Sequence, residues 1–203
     1  MGSPKKPRRK YSKPSHPWQK ARIEAERILF KEYGLRNKKE IWKATSLLRN
    51  FTHQTKKLII GKSAQAEIEK DHLLKRLFSL GLLGEGAKLE DVLSISVKNL
   101  LDRRLQTLVY KKRLARTIQQ ARQFIVHRHI VVGDRTIVMP SYLVTREEEA
   151  FIGFTSKSAL FNQDHPERVE KAIPKKETPV KKERKSNKKR KTADIKSDAG
   201  GKQ

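Results

Sequence analysis

Apolar residues recur at every third or fourth position through the first half of the chain, and each such run is closed by a glycine. Pro17 suits the first turn of a helix, after which Ile23, Ala25, Ile28, Leu29 and Phe30 mark an apolar face ending at Gly34. Asn37, with Glu40 three residues on, has the form of a capping box; Ile41, Ala44, Leu48 and Phe51 then carry a second helix through Leu58 and Ile60 to Gly61. A third helix is expected from Ala64 to Leu80 through Ile68, Leu73, Leu74, Leu77 and Phe78, with Gly81 as its stop. Trp18 and Trp42 are expected to pack these helices together.

The pattern changes after Ser96. Leu100, Leu101, Leu105 and Leu108 form one helical stripe, while Asp102, Gln106 and a set of Arg and Lys residues take the other sides. Thr117 and Gln120 form a second capping box, opening a helix with Ile118, Ala121, Ile125 and Val126 inward. Ile130-Val131-Val132 and Thr136-Ile137-Val138 flank a Gly133-Asp134 turn, which predicts a hairpin. Pro140 interrupts it, and Tyr142-Leu143-Val144 and Phe151 to Phe154 read as further strand, with Glu147, Glu148 and Glu149 on a solvated turn. The expected fold is α+β: a mostly helical N-terminal half, then two short helices on a small antiparallel sheet. The expected boundaries are a basic extension over 1–15, a helical domain over 16–98, the small domain over 99–156, and a linker with a disordered basic tail over 157–203.

Charge sharpens this picture. The chain has 203 residues with 48 Lys+Arg against 22 Asp+Glu, a formal charge of +26, and apolar residues supply only 35%. So large an excess calls for a polyanionic partner, and a single large core is not expected. The excess is concentrated: residues 1–20 carry seven Lys/Arg and no acid, and residues 101–130 carry eight against one Asp. The Pro-rich and Lys-rich ends cannot support a core and are expected to be disordered in the free chain. The absence of Cys excludes disulfides, cysteine nucleophiles and thiolate zinc sites. Neither a signal peptide nor a membrane span is expected.

Folded RNA is recognised through its shape, phosphates and 2′-hydroxyls, so a reader needs cations on a rigid surface. Arg103, Arg104, Lys111, Lys112, Arg113, Arg116 and Arg122 lie on or between the two helices of the small domain. Thr117 stands at a helix N-terminus, where amides favour a phosphate. The stem of Arg122 is expected to lie against the core with its head in solvent. His127 and His129 flank Arg128 without a third metal ligand, so RNA or solvent contact is expected of all three. Tyr110 and Tyr142 either stack on bases or pack.

The run from Leu101 to Thr107, Val109-Tyr110-Lys111, Ala115-Arg116, Ala121-Arg122, His127 to Ile130 and Pro140-Ser141-Tyr142 resemble the RNA-binding domain of the S-four family of small-subunit ribosomal proteins. Upstream, Lys5-Lys6, Arg8-Arg9-Lys10, His16-Pro17-Trp18, Tyr33 to Lys38 and Glu40-Ile41-Trp42 are similar to its archaeal and eukaryotic branch. The resemblance covers residues 4–154. It implies direct binding of small-subunit ribosomal RNA, a part in nucleating subunit assembly, neighbouring ribosomal proteins as partners, messenger RNA within reach, and a cytoplasmic location. It adds Arg8, Arg9, Lys10, Arg36 and Lys38 to the RNA-binding candidates and implies neither cofactor nor metal. Two departures stand out. Arg113 and Arg128 occupy positions where the family commonly has Gly, so a side chain stands where the backbone is expected at positive φ. Two other functions fit less well. An RNA-modifying enzyme needs a catalytic domain for which the chain has no room, and a non-specific nucleic-acid compactor or RNA chaperone needs no preorganised surface.

Overall fold

Helices α1 (Lys20–Glu32), α2 (Lys38–Ile60) and α3 (Ala64–Ser79) occupy the three stretches marked by apolar spacing. The structure, a computed structural model, describes residues 9–61, 63–162 and 165–168; most of the two expected basic tails, Arg8 included, lies outside them. Phe51 and Leu58 of α2 pack on Leu73 and Leu77 of α3, and Leu77 is fully buried. Truncating such a leucine to alanine costs about 2–5 kcal/mol. Leu83, Val92 and Leu100 complete this core, Val92 coming from α4 (Leu89–Leu93), which is too short to leave a periodic signal. Trp42 packs as expected, its indole N–H donating to Glu26 at 3.1 Å. Trp18 does not: it precedes α1 and is 90% exposed.

The expected stripe from Leu100 to Leu108 is two helices, α5 (Val97–Asp102) and α6 (Leu105–Lys111). Tertiary hydrogen bonds break it. The Leu105 N–H donates to the Tyr142 carbonyl at 2.8 Å, and the Val144 N–H to the Arg103 carbonyl at 3.0 Å. Tyr142 to Val144, expected as a sheet strand, instead lies along this break and bridges to it through Arg104 and Leu143.

Helix α7 (Ile118–Val126) opens as the sequence predicts, with the Thr117 hydroxyl accepting the Gln120 N–H at 3.1 Å. The Gln120 side chain reaches one residue further back than a capping box requires, accepting the Arg116 N–H at 2.7 Å. Val126, expected inward, is 47% exposed, and the buried position belongs to Phe124. Strands β1 (Ile130–Val132), β2 (Arg135–Thr136) and β3 (Ile152–Phe154) form an antiparallel sheet in the order β2-β1-β3. Val132 pairs with Arg135 around the expected turn, and Ile130 with Phe154; Ile137 and Val138 fall outside the ladder. The glutamate run lies on α8 (Arg146–Ala150) instead of a turn. Thr145 and Glu148 exchange backbone bonds there in a capping box. Burial works to raise the Glu148 carboxyl, but hydrogen bonds from Thr145 and Tyr142 prevail and hold it below its ordinary value.

Leu105, Val109, Ala121, Ile125, Ile130 and Phe154 form the core of this small unit. Leu160, on a 3-10 turn (Ala159–Phe161), joins them, within the stretch expected to be linker. Among the described residues no helix is long and apolar enough to cross a membrane.

Candidate nucleic-acid interface

The cation-rich segment divides into side chains held inside the structure and side chains that face out. Glu40 gathers the first group. Its two carboxylate oxygens accept from Arg104 at 2.5 Å and Arg122 at 2.9 Å, joining α2 to both helices of the small unit. Burial would raise the Glu40 carboxyl, but the hydrogen bonds and charges of the two guanidiniums outweigh it and hold it below the usual carboxylate range. The Arg122 guanidinium also donates to the Gln106 side-chain oxygen, and the amide of Gln106 donates to the Gly34 carbonyl at 3.2 Å and the Ile118 carbonyl at 3.1 Å. Gln106 is 1% exposed, so this polar network sits where α1, α6 and α7 meet. The apparent Asn37 capping box is absent, because Asn37 makes no side-chain cap and the Glu40 carboxylate is occupied by arginine.

A second set of contacts holds α8. Arg103 donates to Glu149 at 2.6 Å and to the Val144 carbonyl at 3.1 Å. The Lys112 ammonium donates to the Glu149 carbonyl, where a cation meets the negative end of the helix. Lys111 pairs with Asp102 at 3.0 Å while remaining half exposed. Arg116 is exposed, and its guanidinium donates to the carbonyls of Pro166 and Arg168. The His129 ring bonds the Ser158 hydroxyl at 2.8 Å, and its centroid lies 6.5 Å from that of the exposed His127.

Arg113 and Arg128 face outward, and among the described residues neither has a carboxylate partner. Among the described residues they are also the non-glycine residues at positive φ, 57° and 64°. Their settings match. The Leu114 N–H donates to Val109 and the Arg113 N–H to Tyr110 at the end of α6; the His129 N–H donates to Phe124 and the Arg128 N–H to Ile125 at the end of α7. Each is a Schellman cap whose left-handed residue is usually Gly. A side chain in that conformation costs roughly 1–2 kcal/mol, of which a cation beside a helix C-terminus returns about 0.3–1 kcal/mol. Helix α3 closes with the same cap around Gly81, at φ 69°, and α1 shares its Leu35 N–H to Phe30 bond around Gly34, at φ 54°. A Cβ on Gly34 would stand 2.6 Å from Ile118, and one on Gly81 3.0 Å from Arg103.

Arg36 and Lys38 are exposed at the start of α2, and Arg9 and Lys10 are exposed in the segment that precedes α1. Arg8 lies outside the described residues. Residues 103–149 match the S4 domain. The chain is 49% identical over 163 residues to the small ribosomal subunit protein uS4 of Ignicoccus hospitalis, covering 80% of this chain and 98% of that protein. Against the uS4 of Sulfolobus acidocaldarius it is 46% identical, covering 84% and 97%, and against that of Sulfurisphaera tokodaii 45%, covering 82% and 93%.

The chain belongs to the uS4 family. The S4 domain of this uS4 chain thus contains both sets of arginines, those that bind it to α2 and those that face out. The partners Glu40, Gln106 and Glu149 were not legible as such. Glu40 stands 64 residues before Arg104, and its only local signal, three residues after Asn37, points to a cap.

Proposed function

We propose that this chain is a structural constituent of the small ribosomal subunit that binds the subunit's RNA directly and catalyses no reaction. The observation that carries this reading is the identity with small ribosomal subunit proteins along four-fifths of the chain. The geometry supports it: the outward cations stand on capped helix ends, and positioned cations fix register on a folded RNA in a way that a mobile charge cloud does not.

In this reading the RNA surface consists of Arg113, Arg128, His127, Lys111 and Arg116, extended by Arg36, Lys38, Arg9 and Lys10. Arg103, Arg104, Lys112 and Arg122 shape that surface through Glu149 and Glu40, and His129 through Ser158. The helical part over 16–98 holds the RNA-binding domain over 99–156 in place. By family resemblance the protein nucleates subunit assembly among neighbouring ribosomal proteins, beside the path of messenger RNA, in the cytoplasm.

The test is binding of purified chain to small-subunit RNA as a function of salt, with nucleotide-resolution footprinting. Each phosphate neutralised contributes about 0.7–0.9 to the log–log salt slope, so five contacts predict a slope of about −3.5 to −4.5 and a discrete footprint. A flat salt response overturns the reading, and protection smeared over any RNA favours a non-specific compactor.

A further inference from the structure

A cleft of about 520 Å³ opens between α2 and the S4 domain, and neither Arg113 nor Arg128 lines it. Its walls hold four cations, Lys39, Lys43, Arg104 and Arg122, against one carboxylate, Glu40. Both arginines already share that carboxylate, so the wall is short of negative charge. Lys39 and Lys43 stand one helical turn apart on α2, both exposed at the mouth. Beside these charges the lining carries an apolar stretch formed by Leu47, Leu100, Pro140 and Leu143.

Cations at the rim and an apolar stretch select an anion with an apolar body. A bare phosphate leaves the stretch uncovered, and an acidic side chain brings a charge without a flat face to lay on it. A nucleotide supplies both, and the volume lies within the roughly 300–1,000 Å³ of small-ligand sites. RNA-binding proteins stack unstacked bases on aromatic side chains and guanidinium planes, and the lining supplies Tyr11, Arg104 and Arg122. We propose that the cleft receives one unstacked nucleotide of the bound RNA, its phosphate between Lys39 and Lys43 and its base on the apolar stretch. This rests on the RNA-binding reading and adds a base-accepting site apart from the outward arginines.

The test uses the full chain bound to small-subunit RNA, with a benzophenone side chain introduced at Asn37, which is exposed and lines the cleft. A cross-link to a single nucleotide is expected, and that nucleotide should turn reactive to base-specific probes in complexes of the cleft-filling variant Ser141→Trp. The rim variant Lys39→Gln with Lys43→Gln should lose the cross-link and reduce the salt slope by about 0.7–0.9, while the chain still binds RNA. Circular dichroism confirms that each variant is folded, and the exposed rim substitutions keep the test independent of Ser141. Cross-links scattered over many nucleotides, or formed only to protein in the assembled subunit, overturn the proposal while leaving RNA binding intact. Failure of the unmodified chain to bind RNA overturns both readings.

Discussion

Arg104 and Arg122 lie within one S4 domain alongside Arg113 and Arg128, yet the two pairs do opposite things for the fold. The inward pair is held by Glu40 and ties α2 to α6 and α7. The outward pair occupies left-handed backbone at two helix ends, where glycine would be less strained. Gly34 and Gly81 show what such a helix end requires where neighbours crowd it, since a Cβ there meets Ile118 or the Arg103 guanidinium. Arginine is therefore found at the caps that open outward and glycine at those that are packed. In the proposed function the strain at these exposed cationic positions belongs to the RNA surface, whereas the Glu40 cluster is framework.

The contrast breaks most readily at Glu40. Replacing it in Glu40→Gln leaves two guanidiniums facing each other, and loss of one partner of a buried pair costs about 3–5 kcal/mol. With the Glu40 side chain 16% exposed, the low end, about 3 kcal/mol, is expected as a lowered urea midpoint. A destabilisation below about 1 kcal/mol, the size of a surface pair, would show that the cluster is not framework.

Gly34→Ala is expected to have an effect of similar size. Positive φ and a 2.6 Å approach to Ile118 combine strain with overpacking, for a loss of about 2–4 kcal/mol. Arg113→Ala, by contrast, keeps the strain and removes only the exposed head, so its loss should be limited to the helix-end charge, about 0.3–1 kcal/mol. Equal losses at the two caps would erase the distinction between packed and open ends.

Acid supplies a gentler form of the Glu40 test. Its carboxyl titrates lower in the folded than in the unfolded chain. The stability it contributes is therefore complete above the unfolded value, about 4.3, and is lost as pH falls through the lower folded value. Glu40→Gln should flatten the pH dependence of the unfolding free energy in that acid window and leave it unchanged near neutrality. An unaltered acid profile would mean that Glu40 is not ion-paired in solution.

Legibility followed how local each signal was. The spans of α1 to α3, the Thr117 cap and the Gly133-Asp134 turn are written in neighbouring residues and were readable there. The positive φ at Arg113 and Arg128 was readable only through family resemblance, as glycine positions filled by arginine. The break between α5 and α6 was hidden because Leu100, Leu101, Leu105 and Leu108 keep helical spacing across it, while its causes, the Tyr142 carbonyl and the Val144 amide, lie about forty residues on. Glu40 misled for the same reason, its partners being 64 and 82 residues away. Trp18 was assigned to the core from residue type alone, and no neighbour covers it.

The most direct measurement pairs stability with affinity in one double variant, Arg113→Gly with Arg128→Gly. Glycine relieves the left-handed strain, so the unfolding free energy should rise by about 1–2 kcal/mol in total once the lost helix-end cations are allowed for. Affinity for small-subunit RNA should fall about a hundred-fold or more, each of the two charge-assisted contacts being worth about 1.5–3 kcal/mol, and the salt slope should shrink by about 1.4–1.8. A chain that becomes more stable and binds more weakly is the predicted result. Unchanged affinity, or a loss of stability together with affinity, would contradict the assignment of these two arginines to the RNA surface.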